Sequence, residues 1–170
     1  MIIDDNFLSD ESKQFIENYV LSRHFPLYMQ GESVKGDETP FLNHVILPRP
    51  ELRDVKTKHA YYDDFIKILN EFCDKNKIHY DEVLRVCVNF TFYNGVRDVS
   101  PTHVDHDFEY NQLIVYLNDP LDVMSSTVLL DKENTNILPK QYRGLSFGKI
   151  EHYHYYPKKG GRYVLVFTYR

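Results

Sequence analysis

The chain has 170 residues, 42% hydrophobic and 15% aromatic, which fits one globular domain with a buried core. Its 26% charged residues and net charge of -5 disfavour non-specific nucleic-acid binding. Two cysteines, Cys73 and Cys87, sit in no CxxC or zinc-finger spacing and read as buried thiols of a reducing compartment. No stretch approaches the length of a membrane span, and the start Met1-Ile-Ile-Asp-Asp-Asn6 lacks the basic and apolar regions of a signal peptide. A cytoplasmic protein with no membrane partner is expected.

Residues 2–8 suit a short strand, after which Ser9, Asp10 and Glu11 suit the start and positive end of a helix. That helix carries Phe15, Ile16, Tyr19 and Val20 on one face. Residues 23–58 are irregular, broken by Gly31, Gly36, Pro40, Pro48 and Pro50, and read as either a lid or a peripheral strand pair. Tyr62, Phe65, Ile66, Leu69, Phe72 and Cys73 then recur at helical spacing, a stripe that predicts core packing. From residue 83 the pattern turns to strands, at 83–93, 112–118, 127–130, 145–150 and 163–169, punctuated by Pro120, Pro139, Gly144, Gly160 and Gly161. Two helices followed by short strands predict helices on the outside of an antiparallel β-sandwich or open barrel. Internal repeats and low-complexity tracts are absent from the sequence.

The chemistry concentrates in two runs. In Ser100-Pro-Thr-His-Val-Asp-His106, a strand would put the His103 imidazole and the Asp105 carboxylate on the same face. In Glu151-His-Tyr-His-Tyr-Tyr-Pro-Lys-Lys-Gly-Gly-Arg162, His152 or His154 could complete a metal site, since both share one strand parity. Two neutral histidines and one carboxylate leave three positions of an octahedral ion open, the arrangement that suits non-haem Fe(II) working on oxygen. His-x-Asp alone is common by chance; Arg162 at the head of the strand-like run 163–169 adds weight. His106 reads as a loop residue next to the metal.

In order and spacing these residues resemble the Fe(II)- and 2-oxoglutarate-dependent dioxygenases, in particular the prolyl-hydroxylase-like branch and its small phage-encoded members. The resemblance covers residues 83–170 well and the first half only in its layout. It implies a mainly β fold with flanking α-helices, a double-stranded β-helix (jelly roll, cupin-like). A single domain 1–170 would have helical support in 1–80 and a jelly-roll core in 83–170. The resemblance implies iron held by His103, Asp105 and His152; Pro157 five and Arg162 ten residues after His152 match the family signature and favour it over His154. Tyr93, ten residues before His103, would lie beside the cosubstrate. Tyr116, in Ile114-Val-Tyr-Leu-Asn118, would donate a hydroxyl hydrogen bond, although the family's aromatic at the first position of that strand is missing here.

Chemistry supports part of this independently. A dicarboxylate chelating iron by one end needs a fixed cation at the other, and the planar guanidinium of Arg162 supplies it. The implied reaction consumes O2 and 2-oxoglutarate, hydroxylates an unactivated C–H bond and releases succinate and CO2, with ascorbate as reductant. A peptidyl, prolyl-type substrate is the first expectation, a small metabolite the second and nucleic acid the last; a viral source would place the reaction in the host cytoplasm. Asp105 at the carboxylate position disfavours a halogenase. Segments 23–58 and 131–143 are the expected places for substrate recognition. The alternatives are a non-catalytic cupin-like jelly roll that binds a metal or ligand without turnover, and a capsid or tail jelly roll, which predicts no inward cluster of metal ligands.

Overall fold

The computed structural model describes residues 1–33, 38–53, 59–119, 121 and 125–170. In chain order its elements are β1 (Ile2–Asp4), α1 (Asp10–Phe15) running on into a π turn (Ile16–Val20), β2 (Tyr28–Gln30) and β3 (Phe41–Leu47). A 3-10 turn (Pro50–Leu52) precedes α2 (Tyr62–Asn76), after which come β4 (Val83–Thr91), β5 (Asn111–Tyr116), β6 (Thr127–Leu129) and β7 (Thr135–Ile137). The chain ends with β8 (Gly144–Gly148), β9 (His152–His154) and β10 (Arg162–Tyr169). Among the described residues, seven strands form one sheet in the order β1-β8-β5-β10-β4-β3-β2 and three form a smaller sheet, β7-β6-β9. All their pairings are antiparallel, the jelly roll with flanking helices that the sequence predicts.

The period of two on the central strand β10 builds both cores. Leu165, Phe167 and Tyr169 face one side, where they pack with Val86, Val88, Leu113 and Val115 against Phe65, Leu69 and Phe72 of α2. Val164 and Val166 face the other side, into the space closed by the small sheet, with Ile114, Leu129 and Phe147. Each fully buried apolar side chain contributes about 1.5–3 kcal/mol of transfer free energy. Ser9 caps α1, its side chain accepting from the Ser12 N–H at 3.2 Å. The Ser9 and Ser12 hydroxyls both donate to the Glu71 carboxylate, at 2.6 and 2.9 Å, which pins α1 onto α2. Lys77, in the left-handed region at φ 57°, ends α2.

Several boundaries differ from the sequence pattern. The first strand stops at Asp4, whose carboxylate accepts from the Asn6 N–H at 2.8 Å and turns the chain, so that Phe7 and Leu8 enter the core instead of the sheet. The described residues of segment 23–58 include the strand pair: β2 and β3 pair with each other, and β3 continues the sheet through β4, while 34–37 and 54–58 lie outside the described residues. Gly36 and Pro120 lie outside the described residues. Residues 1–80 therefore give more than helical support, adding β1 at one edge of the large sheet and β3 and β2 at the other. At three residues each, β7 and β9 are too short to show a period of two. Cys73 and Cys87 are free and buried, as expected. No described helix is long and apolar enough to cross a membrane.

Candidate metal centre

Backbone pairing brings the two histidines together. The His103 N–H donates to the His152 carbonyl at 3.1 Å and the His152 N–H to the His103 carbonyl at 3.0 Å, leaving ring centroids 4.6 Å apart. This is a single bridge, not the strand expected for His-x-Asp, because Pro101 has no N–H and breaks the ladder between the Val99–Tyr155 and His103–His152 bridges. Asp105 lies in a bend beyond it, its N–H held by the Tyr110 hydroxyl at 2.8 Å. His103, Asp105 and His152 nonetheless offer ligand atoms all within 4.8 Å of one another.

The surrounding hydrogen bonds orient each of the three. His103 Nδ1 lies 2.9 Å from the Pro101 carbonyl and His152 Nδ1 2.9 Å from the Ile150 carbonyl. A carbonyl only accepts, so each Nδ1 carries a proton and each Nε2 is the ring nitrogen left to face an ion. Asp105 Oδ1 accepts from Arg49 Nη2 and Arg85 Nη1, both at 2.9 Å, while Oδ2 lies 3.9 Å from His152 Nε2. Burial pushes the Asp105 carboxyl up, but Arg85, the two histidines and Arg49 outweigh it and hold the group below the usual carboxylate range. Burial, helped by His103, lowers His152 to about 4. An ionised Asp105 beside a neutral His152 is the protonation state that metal binding requires.

His154 stands apart from this cluster. It lines the same cavity, burial and Arg162 keep its ring neutral, and its Nε2 has no partner among the described residues, but it is not one of the three grouped ligands. His106 is buried against Phe108, with Nε2 2.8 Å from Thr168 Oγ1, and does not line the cavity.

The cavity has a volume of about 430 Å³. Arg162 reaches it from β10 and is only 5% exposed. Its Nη2 donates to Thr127 Oγ1 at 2.9 Å, its Nε has no partner, and it forms no ion pair with a carboxylate among the described residues. A buried guanidinium without a counter-charge is costly, and an anionic ligand would relieve it. Tyr116 does not line the cavity. It is wholly buried behind Thr127, its hydroxyl 2.7 Å from Thr127 Oγ1 and its ring 5.4 Å from the Arg162 guanidinium.

Tyr93, expected beside the cosubstrate, does not line the cavity. β4 ends at Thr91, so the alternation that points odd residues inward is lost before residue 93. Tyr93 is 37% exposed, with Lys158 Nζ 5.6 Å from its ring centre. Thr91 and Asn89 take that side of the cavity, opposite Arg162 and Val164 in register. Thr127, Arg49, Arg85 and Gln112 also line it without having been singled out. Arg85 carried a signal, as a charge on the inward parity of a strand otherwise buried; Thr127, on a three-residue strand, carried none. From segment 23–58 come Ser33, Phe41 and Arg49, whereas no residue of 131–143 lines the cavity. That stretch folds as β7 and is tied back by Arg143, whose Nε and Nη2 donate to Asp5 at 2.7 and 3.0 Å.

Neither a family model nor a curated protein sequence matches the chain. Solved structures are similar to it over 99% of its length. One is an oxidoreductase of the 2OG-Fe(II) oxygenase family from Burkholderia pseudomallei, at TM-score 0.72 and 14% identity, with 84% of that chain covered. Another is the viral collagen prolyl hydroxylase of Paramecium Bursaria Chlorella virus-1 in complex with 2OG, at TM-score 0.61 and 19% identity, with 93% covered. A third is a Trichoplax adhaerens prolyl hydroxylase bound to a hypoxia inducible factor peptide, at TM-score 0.60 and 17% identity, with 82% covered. At these identities the likeness is one of fold.

Proposed function

We propose that the chain is an Fe(II)- and 2-oxoglutarate-dependent dioxygenase that hydroxylates an unactivated C–H bond. The observation that carries this reading is the pairing of the His103, Asp105 and His152 cluster with the buried Arg162, which has no carboxylate partner among the described residues, in one cavity. Asp105 Oδ2 and the Nε2 atoms of His103 and His152 would hold the ion, leaving coordination positions for other ligands. When bound, iron and 2-oxoglutarate supply the activation of O2, with succinate and CO2 as the accompanying products.

The protein's residues position and enclose. Arg162 grips the far carboxylate of 2-oxoglutarate, Thr127 holds the Arg162 guanidinium in place, and Tyr116 fixes the Thr127 hydroxyl from behind. Val164, Val166 and Ile114 line the space between and exclude water. A jelly roll that only held a metal would have no use for a buried guanidinium in the cavity, and a capsid-type jelly roll none for inward ligands. Prolyl hydroxylases among the structural neighbours, one of them bound to a peptide, support a peptidyl substrate. The test is succinate release by the purified protein in the presence of candidate substrates, with Fe(II) and 2-oxoglutarate each omitted in turn and ascorbate supplied as reductant. Release that persists without either one would refute the assignment.

A further inference from the structure

Charge in the cavity is unbalanced beyond what the proposed cosubstrate explains. Among the described residues, three arginines, Arg49, Arg85 and Arg162, and one carboxylate, Asp105, line it. A divalent ion and a doubly charged 2-oxoglutarate cancel each other, so the excess of arginine survives loading. It lies at the opposite end from Arg162, where Arg49 and Arg85 share the single acceptor Asp105 Oδ1.

Neither arginine is used up by that contact. Arg85 gives only Nη1 to Asp105 and has no other hydrogen-bond partner among the described residues. Arg49 gives Nη2 to Oδ1 and Nη1 to the Asp105 carbonyl, its side chain is 29% exposed, and its Nε has no partner among the described residues. Glu51 is the other carboxylate felt by Arg85, but it is exposed and pairs with neither arginine among the described residues. A second feature at this end also awaits a ligand. Gln112 lines the cavity at 1% exposure and its Oε1 has no partner among the described residues. Gln112 and Arg85 stand on one rung of the large sheet, each opposite Thr168 of β10, and therefore on the same face about 10 Å apart along the hydrogen-bonding direction.

We infer that Arg49 and Arg85 recognise a carboxylate on the molecule to be oxidised, so that the substrate is an acid, with Gln112 accepting from a donor beside that group. This rests on the function proposed above. Guanidinium forks suit a planar carboxylate, and the spare N–H groups sit beside the metal ligand Asp105, which places the recognised acid next to the reacting centre. The acid is either the free terminus of a small molecule or an acidic side chain of a peptide, and the two share this chemistry.

The test uses protein loaded with Mn(II) and 2-oxoglutarate, with loading measured first, because failure to load would refute the proposed function and not this inference. One arm titrates N-acetyl-proline against N-acetyl-prolinamide, and the other a blocked Pro-Glu dipeptide against blocked Pro-Gln. Binding is read from Mn(II)-enhanced relaxation of the probe resonances. In at least one arm the acid should bind about tenfold or more tightly than its neutral counterpart, and that preference should fall to near unity in Arg49→Gln with Mn(II) still bound. The arm that shows the preference identifies the source of the acid. Equal binding of acid and amide in both arms, or none, overturns the inference without reliance on any variant. A preference that survives both Arg49→Gln and Arg85→Gln overturns it as well, and would leave the two arginines as supports of Asp105 alone.

Discussion

Arg162 and Thr127 meet across the interior, one from each sheet, with the guanidinium Nη2 2.9 Å from the threonine Oγ1. The contact explains how a buried arginine keeps one orientation without a carboxylate partner. Thr127 Oγ1 faces Arg162 on one side and the Tyr116 hydroxyl on the other, so a short polar chain aims the cation into the cavity.

Arg162→Ala should therefore raise the dissociation constant for 2-oxoglutarate by roughly 30-fold or more and leave Mn(II) affinity nearly unchanged. Thr127→Val and Tyr116→Phe remove neutral hydrogen bonds and should each cost about 1 kcal/mol, near fivefold in affinity. Calorimetric titration of the Mn(II)-loaded variants measures this. Equal 2-oxoglutarate affinity in wild type and Arg162→Ala would remove the cosubstrate site from the model of function.

His152 and His154 separate in a metal titration. His152→Ala, His103→Ala and Asp105→Ala should each lose tight Mn(II) or Fe(II) binding, because two remaining ligands hold a labile ion weakly. His154→Ala should keep the metal. Retention in His152→Ala together with loss in His154→Ala would show that the distal ligand is the other histidine.

The extent to which this site could be read from sequence follows from how locally each residue is fixed. Arg162 was legible because the eight-residue β10 alternates cleanly, and its parity with Val164 and Val166 settles which way the guanidinium points. His103, Asp105 and His152 were legible as a set, but their convergence depends on a single backbone bridge and on arginines from β4 and the end of the β3 connection, none of which any spacing encodes. Tyr93 shows the limit of spacing, because its place relative to His103 is a distance along the chain, while its direction depends on where β4 stops. The aromatic stripe of α2 packs as its period predicts, since a fifteen-residue helix shows its face several times over.

Gly144 tests the packing between sheet and helix. It pairs with Asp4 of β1 and Val115 of β5, and a Cβ there would meet Phe72 Cε2 at 2.7 Å and Phe7 Cε1 at 2.8 Å. Phe72 is wholly buried, and its ring packs edge-on to Phe7 at 5.0 Å, so neither can yield freely. Gly144→Ala should cost about 1–3 kcal/mol by urea unfolding. Shortening the neighbour in Gly144→Ala/Phe72→Leu should recover part of that loss relative to the sum of the single changes. Strict additivity would show that the clash is not the cause.

The Asp5–Arg143 pair gives the stability a defined response to acid. Asp5 accepts from Arg143 Nε and Nη2 at 2.7 and 3.0 Å and from Lys140 Nζ at 2.9 Å, joining the turn after β1 to the turn before β8. The Arg143 hydrogen bonds, opposed by burial and aided by Lys140, hold the Asp5 carboxyl well below the usual range. Below the ordinary carboxylate pKa of about 3.9 the unfolded chain takes up a proton that the folded chain refuses. More protons bound in the unfolded state means that stability rises with pH, so this contribution is complete above about pH 5 and fades as pH falls through 4 and below. Asp5→Asn should accordingly lower stability at pH 7 by about 1–2 kcal/mol, a figure discounted for the partial exposure of the pair. The gap between variant and wild type should narrow steadily from pH 5 to pH 3 in urea unfolding curves. A gap that stays constant over that range would show that the pair contributes through packing and not through its charge.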